Sequence, residues 1–435
     1  MQITVFALGK IGLPLAVQFA SLGHHVTGVD IAPNVIELVN SGEAPFPGET
    51  GLDEALKRVV AEGRLTATLD GSAAVAEADA VVIVVPLIVD GAGIPDFGPL
   101  DAATRTVAAG LRRGTLVSYE TTLPVGTTRE RFAPMLAEGS GLAAGTDFAL
   151  VFSPERVSSG RIFADLRKYP KLVGGIDEPS TSRGIAFYEQ VLEFDERPDL
   201  GRPNGVWNLG TSEASELAKL AETTYRDVNI GLANTFARYA DKIGVDVAGV
   251  IEACNSQPFS HIHQPGIAVG GHCIPVYPRM YLWNDPEAEV VRVARAANAA
   301  MPEYAVSLLE EEHGDLSGSR VAVLGIAYRG GVKETAFSGV FPTVEALKAR
   351  GATVLVDDPM YTEDEIRALG FEPYEVGANA EPVEAAIIQT DHVEYRTLTP
   401  ADLPGIKTLI DGRRITDPAA WTDVRRRLIG AGDGR

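Results

Sequence analysis

Only two of the 435 residues are cysteine, Cys254 and Cys273. That is too few for a disulfide framework, so a reducing compartment is expected. Positive charge is scarce too: 38 Lys and Arg stand against 59 Asp and Glu, a net charge of −21. This argues against a nucleic-acid partner, which needs a basic face. No apolar run reaches the length of a membrane span; the longest, residues 80–89, covers about half of one and is broken by Pro86. The opening Met1-Gln-Ile-Thr-Val-Phe6 lacks the basic start of a signal peptide and leads straight into a strand. Neither a repeat of solenoid length nor a low-complexity tract is found. A cytoplasmic protein with no membrane partner is expected. With 45% hydrophobic and 22% charged residues, the chain has material for two or three domains, each with its own core.

The N-terminal pattern is informative. Ile3-Thr-Val-Phe-Ala-Leu8 reads as a strand, Gly9-Lys10-Ile11-Gly12 as a glycine turn, and Leu15, Phe19 and Leu22 as the apolar face of a helix. A second strand, His25-Val-Thr-Gly-Val29, closes on Asp30, 18 positions beyond Gly12. In that order these elements form a dinucleotide fingerprint. A pyrophosphate would sit on the helix N-terminus, and the Asp30 carboxylate would take a ribose diol. That carboxylate would repel a 2′-phosphate, so NAD rather than NADP is expected. Gly9, Lys10, Ile11, Gly12 and Asp30 are therefore candidate cofactor residues. Ala7 occupies the first fingerprint position, which is tolerable if its φ stays negative.

The alternation continues. Ala80-Val-Val-Ile-Val-Val85 reads as a strand buried on both faces and ends in Pro86, at the carboxyl edge where such sheets bind ligands. Residues 115–120 form another strand, followed by Thr121-Thr-Leu-Pro-Val-Gly-Thr-Thr128. Its hydroxyls suit a ribose, a phosphate or a catalytic water, or else Thr127 or Thr128 is a plain helix N-cap. A further strand at 148–152 runs into Ser153-Pro-Glu-Arg-Val157, whose Glu-Arg pair is either structural or faces the site.

Residues 211–242 carry Leu217, Leu220, Ala221, Tyr225, Val228, Leu232, Phe236 and Ala240 at helical spacing. Thr211 and Ser212 are candidate N-caps. So long a helix would bridge the two halves and offer a dimer face, with Lys219 toward its apolar side. Cys273 follows in Pro265-Gly-Ile-Ala-Val-Gly-Gly-His-Cys-Ile-Pro-Val-Tyr-Pro278, before a Pro-x-x-Pro stretch that should not continue as a helix. It reads as a small buried cysteine, as a metal ligand with His261, His263 and His272, or as a nucleophile beside a glycine loop. A helical stretch at 287–312 should kink or restart near Pro302. Strands at 320–325, 353–359 and 384–389 open a second, smaller α/β domain, and the tail after Pro418, with Arg425-Arg-Arg427, reads as a capped helix with a frayed end.

The order of these motifs resembles the nucleotide-sugar 6-dehydrogenases, the family of UDP-glucose, UDP-N-acetylhexosamine and GDP-mannose dehydrogenases. Six segments carry the resemblance: Ala7-Leu-Gly-Lys-Ile-Gly-Leu-Pro14, Thr121-Thr-Leu-Pro-Val-Gly-Thr127, Ser153-Pro-Glu-Arg-Val157, residues 216–229, Gly270-Gly-His-Cys-Ile-Pro275 and Val321-Ala-Val-Leu-Gly-Ile-Ala-Tyr328. The third and fifth look most like the branch acting on UDP-N-acetylhexosamines (GlcNAc or ManNAc). The resemblance implies an α/β fold of two Rossmann-like doubly wound parallel-sheet domains joined by a long central helix and a helical middle domain. Residues 1–205 would bind NAD, 206–314 would hold the dimer face and cysteine loop, and 315–435 would bind the UDP-sugar.

It also implies a four-electron oxidation of the sugar C6 alcohol to the acid, using NAD, with Cys273 carrying a thiohemiacetal and then a thioester. Lys219 matches the residue that stabilises oxyanions, and Thr122 and Glu155 match those that position water and move protons; with Pro86, both also border the cofactor. Glu155, Arg156, Val157, Lys219, Asn229, His263, Gly266, Gly270, Gly271, Tyr328 and Arg329 match substrate-binding positions. Four departures stand out. Thr223 and Tyr277 occupy catalytic positions where the family has Asn and Asp, Ala336 replaces an arginine expected near a cofactor phosphate, and Ala7 replaces glycine. They keep two alternatives open: a two-electron NAD-dependent sugar or hydroxyacid dehydrogenase, and a catalytically silent nucleotide-sugar-binding regulator. No metal is implied, and a homodimer or dimer-based oligomer is.

Overall fold

The computed structural model describes residues 1–90, 93–158 and 160–432. Short runs rich in Val, Ile and Leu, which suit a pleated buried surface, build the first sheet. In chain order its strands are β1 (Gln2–Phe6), β2 (His25–Val29), β3 (Leu65–Thr68), β4 (Ala80–Ile83), β5 (Leu116–Tyr119), β6 (Ala149–Phe152), β7 (Lys171–Gly175) and β8 (Val206–Thr211). They lie in the order β8-β7-β6-β5-β4-β1-β2-β3. The first six are parallel; β7 pairs antiparallel with β6, and β8 runs parallel to β7, so this pair is reversed. Every position of β4 is buried, as its unbroken apolar run requires. The strand order reverses between β1 and β4, which opens a crevice at their carboxyl ends. The glycine turn after β1 and Pro86 after β4 both lie there.

Ala7 does not keep a negative φ. It sits at +72°, because the turn folds back so tightly that a Cβ on Gly12 would lie 1.9 Å from the Ala7 carbonyl oxygen. A left-handed alanine costs about 1–2 kcal/mol, while glycine adds about 0.5–1 kcal/mol of chain entropy to be lost. Ala7→Gly should therefore stabilise the protein by about 0.5–1 kcal/mol, read as a higher denaturation midpoint at unchanged slope. A lower midpoint would show that the turn is unstrained.

The second sheet has β9 (Arg320–Leu324), β10 (Thr353–Asp357), β11 (Ala385–Ile388), β12 (Thr408–Asp411) and β13 (Arg425–Leu428). All are parallel, in the order β10-β9-β11-β12-β13, with a switch point between β9 and β11. β13 corrects the expected tail helix. Only a short 3₁₀ turn forms at Pro418–Ala420, and the three arginines lie in an edge strand, Arg427 reaching Glu311 and Glu312. Beyond it the Gly430 and Gly432 N–H groups both donate to the Asp241 carboxylate at 3.0 Å. The end expected to fray, residues 433–435, lies outside the described residues.

The long helix spans Ser212–Ile243, and the Thr211 hydroxyl accepts the Ala214 N–H at 3.2 Å as its cap. Its apolar residues do not share one face: Leu220, Ala233, Ala237 and Ala240 are buried, while Tyr225, Leu232, Phe236, Tyr239 and Ile243 are exposed. The expected break near Pro302 is present, between helices Glu289–Ala299 and Met301–His313. The Pro-x-x-Pro stretch behaves otherwise than expected, because Pro278 lies in the first turn of helix Tyr277–Asn284, where its missing N–H costs nothing. The chain forms two compact units, Met1–Glu222 and Thr223–Arg435. In the second, Ala237 and Ala240 share one core with Ile251, Leu308, Val321, Val323 and Ile387. No helix among the described residues is long and apolar enough to cross a membrane.

Candidate functional site

In the first unit the candidate cofactor residues converge on the crevice. Asp30 accepts the Leu8 N–H at 2.8 Å and the Ala32 N–H at 3.0 Å. The carboxylate is thereby fixed against the glycine turn, with lone pairs left for a diol. No side chain caps helix Gly12–Ser21 at its N-cap Ile11. A Cβ built on Gly9 would meet nothing within 4 Å. An open approach at Gly9 beside an uncapped helix start fits a dinucleotide pyrophosphate. The two glycines should therefore respond differently. Gly9→Ala should keep the melting temperature and weaken NAD binding, whereas Gly12→Ala, whose Cβ overlaps backbone, should lower both. Calorimetry and NAD titration check this; equal melting losses would contradict it.

Next along the sheet, Thr121 donates to the Val85 carbonyl at 2.7 Å, and Thr122 is buried beside it. Neither Thr127 nor Thr128 caps the following turn with its side chain. Buried Glu216 does so instead, accepting the Gly126 N–H at 2.6 Å, the Thr128 N–H at 2.9 Å and the Thr128 hydroxyl at 2.7 Å. Burial pushes its pKa up to about 7.

After β6, Glu155 continues the ladder, its N–H donating to the Glu120 carbonyl at 3.2 Å. One carboxylate oxygen accepts the Arg156 N–H at 2.7 Å and the other accepts from Lys171 Nζ at 2.9 Å. Its carbonyl accepts from Lys219 Nζ at 2.8 Å. Burial alone would raise the Glu155 pKa, but the Lys171 ammonium and these hydrogen bonds hold it below the ordinary range. The Arg156 guanidinium forms a two-point pair with Glu222 at 3.0 and 3.1 Å, and Val157 packs against the core. Two residues missed in the sequence belong to this cluster. Glu120 and Lys171 meet at 2.6 Å in the interior, and burial pushes the Glu120 pKa up to about 7 despite Lys171.

In the second unit Cys273 is exposed, so it is not a small buried core residue. Its loop is pinned from several directions. The Gly271 N–H donates to the Ala336 carbonyl at 2.8 Å, and the Tyr277 N–H donates to the Cys273 carbonyl at 2.9 Å. Gly271 has φ +94°, and a Cβ on Gly270 would lie 2.5 Å from Tyr328 Cβ. The long helix holds the approach to this loop. Asn229 donates to the His261 carbonyl at 2.6 Å and accepts the His263 N–H at 3.0 Å. Asn234, which sequence reading overlooked, accepts the Gly266 N–H at 3.0 Å.

Arg413, also overlooked, donates to the Gln389 carbonyl at 2.8 Å and lies 3.3 Å from where a Gly266 Cβ would be. The signal available was Asp411-Gly-Arg-Arg at a strand end. Arg329 is exposed, 6.0 Å from the Tyr328 ring centre. Thr223 is buried and Tyr277 half-buried. His272 pairs with Glu334, and among the described residues no three His, Cys, Asp or Glu side chains are grouped to hold a metal.

Comparison with known proteins gives three matched segments. Residues 1–192 match the NAD binding domain of the UDP-glucose/GDP-mannose dehydrogenase family, 213–300 its central domain and 322–418 its UDP binding domain. The chain is 37% identical to a UDP-N-acetyl-D-mannosamine dehydrogenase of Pyrococcus horikoshii, covering 95% of this chain and 96% of that one. A solved structure of UDP-D-ManNAc dehydrogenase from the same organism aligns with TM-score 0.87 and 35% identity over 100% of both chains. A UDP-glucose dehydrogenase from Pyrobaculum islandicum aligns with TM-score 0.83 and 30% identity, over 97% of this chain and 96% of that one.

Proposed function

Because the chain belongs to the UDP-glucose/GDP-mannose dehydrogenase family and is thus an NAD-dependent oxidoreductase, we propose that it oxidises the C6 alcohol of a UDP-N-acetylhexosamine to the uronic acid through a covalent intermediate on Cys273. The observation that carries the covalent reading is an exposed thiol on a loop whose backbone is pinned on both sides. UDP-N-acetyl-D-mannosamine is the favoured substrate, in line with the similar proteins' names. Residues 1–205 would bind NAD, 206–314 would carry the cysteine loop, and 315–435 would bind the UDP portion.

NAD⁺, when bound, takes one hydride in each of the two oxidations. The chain's own residues do the rest. The Cys273 thiolate adds to the C6 aldehyde as the carbonyl oxygen takes a proton; loss of hydride from that carbon and of the hydroxyl proton to water leaves a thioester. Water then breaks the C–S bond, giving carboxylate and thiol. The Lys219 ammonium stabilises charge on the reacting oxygen, Thr122 orients the water, and Glu155 accepts its proton. A neutral phenol such as the Tyr277 side chain is a poorer proton acceptor than a carboxylate, so this duty rests on Glu155. Thr223 offers a single hydroxyl where an amide would offer two N–H donors.

The exposed stripe of Leu232, Phe236, Tyr239 and Ile243 supports a homodimer, which sedimentation would detect. The reading itself is tested by NADH yield per sugar for UDP-N-acetylmannosamine, UDP-N-acetylglucosamine and UDP-glucose. Two NADH and a uronic acid are expected. One NADH per sugar would favour a two-electron dehydrogenase, and tight binding without NADH would favour a silent regulator.

A further inference from the structure

Glu120, at the end of β5, and Lys171, opening β7, have no place in the reaction as described, yet they form one of the most buried ionic groups in the first unit. The Lys171 side chain is 4% exposed, Glu120 0% and Glu155 10%. Lys171 Nζ lies 2.6 Å from one Glu120 oxygen and 2.9 Å from one Glu155 oxygen, so two carboxylates share one ammonium. A buried surplus of one negative charge is costly, and a like-charged pair of carboxyls relieves it by keeping a proton on one member.

The surroundings decide which member. Glu155 also has the Arg156 N–H on its second oxygen at 2.7 Å, the Lys219 ammonium on its carbonyl at 2.8 Å, and the greater exposure. The Glu120 carboxylate has Lys171 and the Tyr188 hydroxyl, at 2.7 Å, as hydrogen-bond partners among the described residues, with the Glu155 carboxylate across Lys171; that hydroxyl in turn lies 2.7 Å from Ser118. A hydroxyl that donates to a carboxylate also accepts from a carboxylic acid, so Tyr188 suits either state.

We propose that Glu120 is the proton-holding member of a buried Glu120–Lys171–Glu155 group, and that Lys171 is a positioning residue that keeps Glu155 ionised to act as base. The kinetic half rests on the role given above to Glu155. The protonation half does not. The direction of the two carboxyl shifts agrees, Glu120 upward by burial and Glu155 downward once Lys171 offsets its burial.

Difference infrared spectroscopy between about pH 6 and pH 9, a range that brackets the Glu120 titration, reads the un-ionised carboxylic C=O stretch directly. Glu216 and Asp357, also raised by burial, are common to all variants and cancel. Wild type should show a band that Glu120→Gln, nearly isosteric, loses, while Glu155→Gln, which removes the second carboxylate but not the burial of Glu120, should move it to lower pH. Lys171→Met, lacking the ammonium, should gain a second acid band and lose on the order of 10²-fold in kcat at little-changed KM, with Lys171→Arg restoring much of it. A band that survives in Glu120→Gln, or is absent from wild type, overturns the proposal. Should Glu155→Gln instead keep wild-type kcat, the base role fails while the infrared result still decides where the proton resides.

Discussion

Cys273→Ser should cut uronic acid formation by at least about 10³-fold, the scale on which removing a covalent nucleophile acts, while the first oxidation continues. The substitution spares the loop, because the bonds that pin it run through the backbone of Gly271, Ala336, Cys273 and Tyr277 and none needs the sulfur. What changes is the attacking group. A serine hydroxyl is far less ionised at neutral pH than a thiol, so it is the weaker nucleophile. NADH yield should fall from two per sugar toward one, with aldehyde as product. An unchanged product profile, with wild type itself releasing aldehyde, would remove Cys273 from the chemistry.

Glu155→Gln should slow the hydrolytic half by about 10²–10⁴-fold, the usual contribution of a positioned base, and leave the oxidations to run once per site. The amide keeps the shape and removes the charge. A burst of NADH followed by a slow steady state is expected in rapid-mixing absorbance; a slow rate without a burst would place Glu155 before the thioester. The pH dependence has a definite sign. Lys171 and the hydrogen bonds to it outweigh burial and hold the Glu155 pKa below its ordinary value, so the base stays ionised as pH falls. The loss of rate due to this group should therefore set in at lower pH than for a free glutamate.

Much of the fold was legible because it rests on local patterns. An apolar run ending in a glycine turn, a proline or an acid marked β1, β2, β4 and β9 within a residue or two, and the spacing from 211 to 242 marked the long helix. The misreadings arose where a long-range contact outweighs local preference. Ala7 takes a left-handed conformation because Gly12 must pack on its carbonyl. The arginines after Pro418 form a strand because Glu311 and Glu312 wait for Arg427. The threonine turn is capped by Glu216, 88 residues away.

The site divides in the same manner. Glycines, Cys273 and Lys219 stand in recognisable motifs. Glu120 and Lys171 look like ordinary strand ends, and only the pairing of β7 beside β6 reveals them as one ionic group. Asn234 and Arg413 likewise gain meaning from the Gly266 loop they meet, which no spacing in the sequence discloses.

The covalent step is tested most directly by intact-mass and peptide mass spectrometry of Glu155→Gln, acid-quenched during turnover with UDP-N-acetylmannosamine and NAD⁺. An added mass equal to the oxidised sugar nucleotide, confined to the peptide containing Cys273 and absent without NAD⁺, is expected. Turnover to the uronic acid with no adduct on that peptide at any quench time would contradict it.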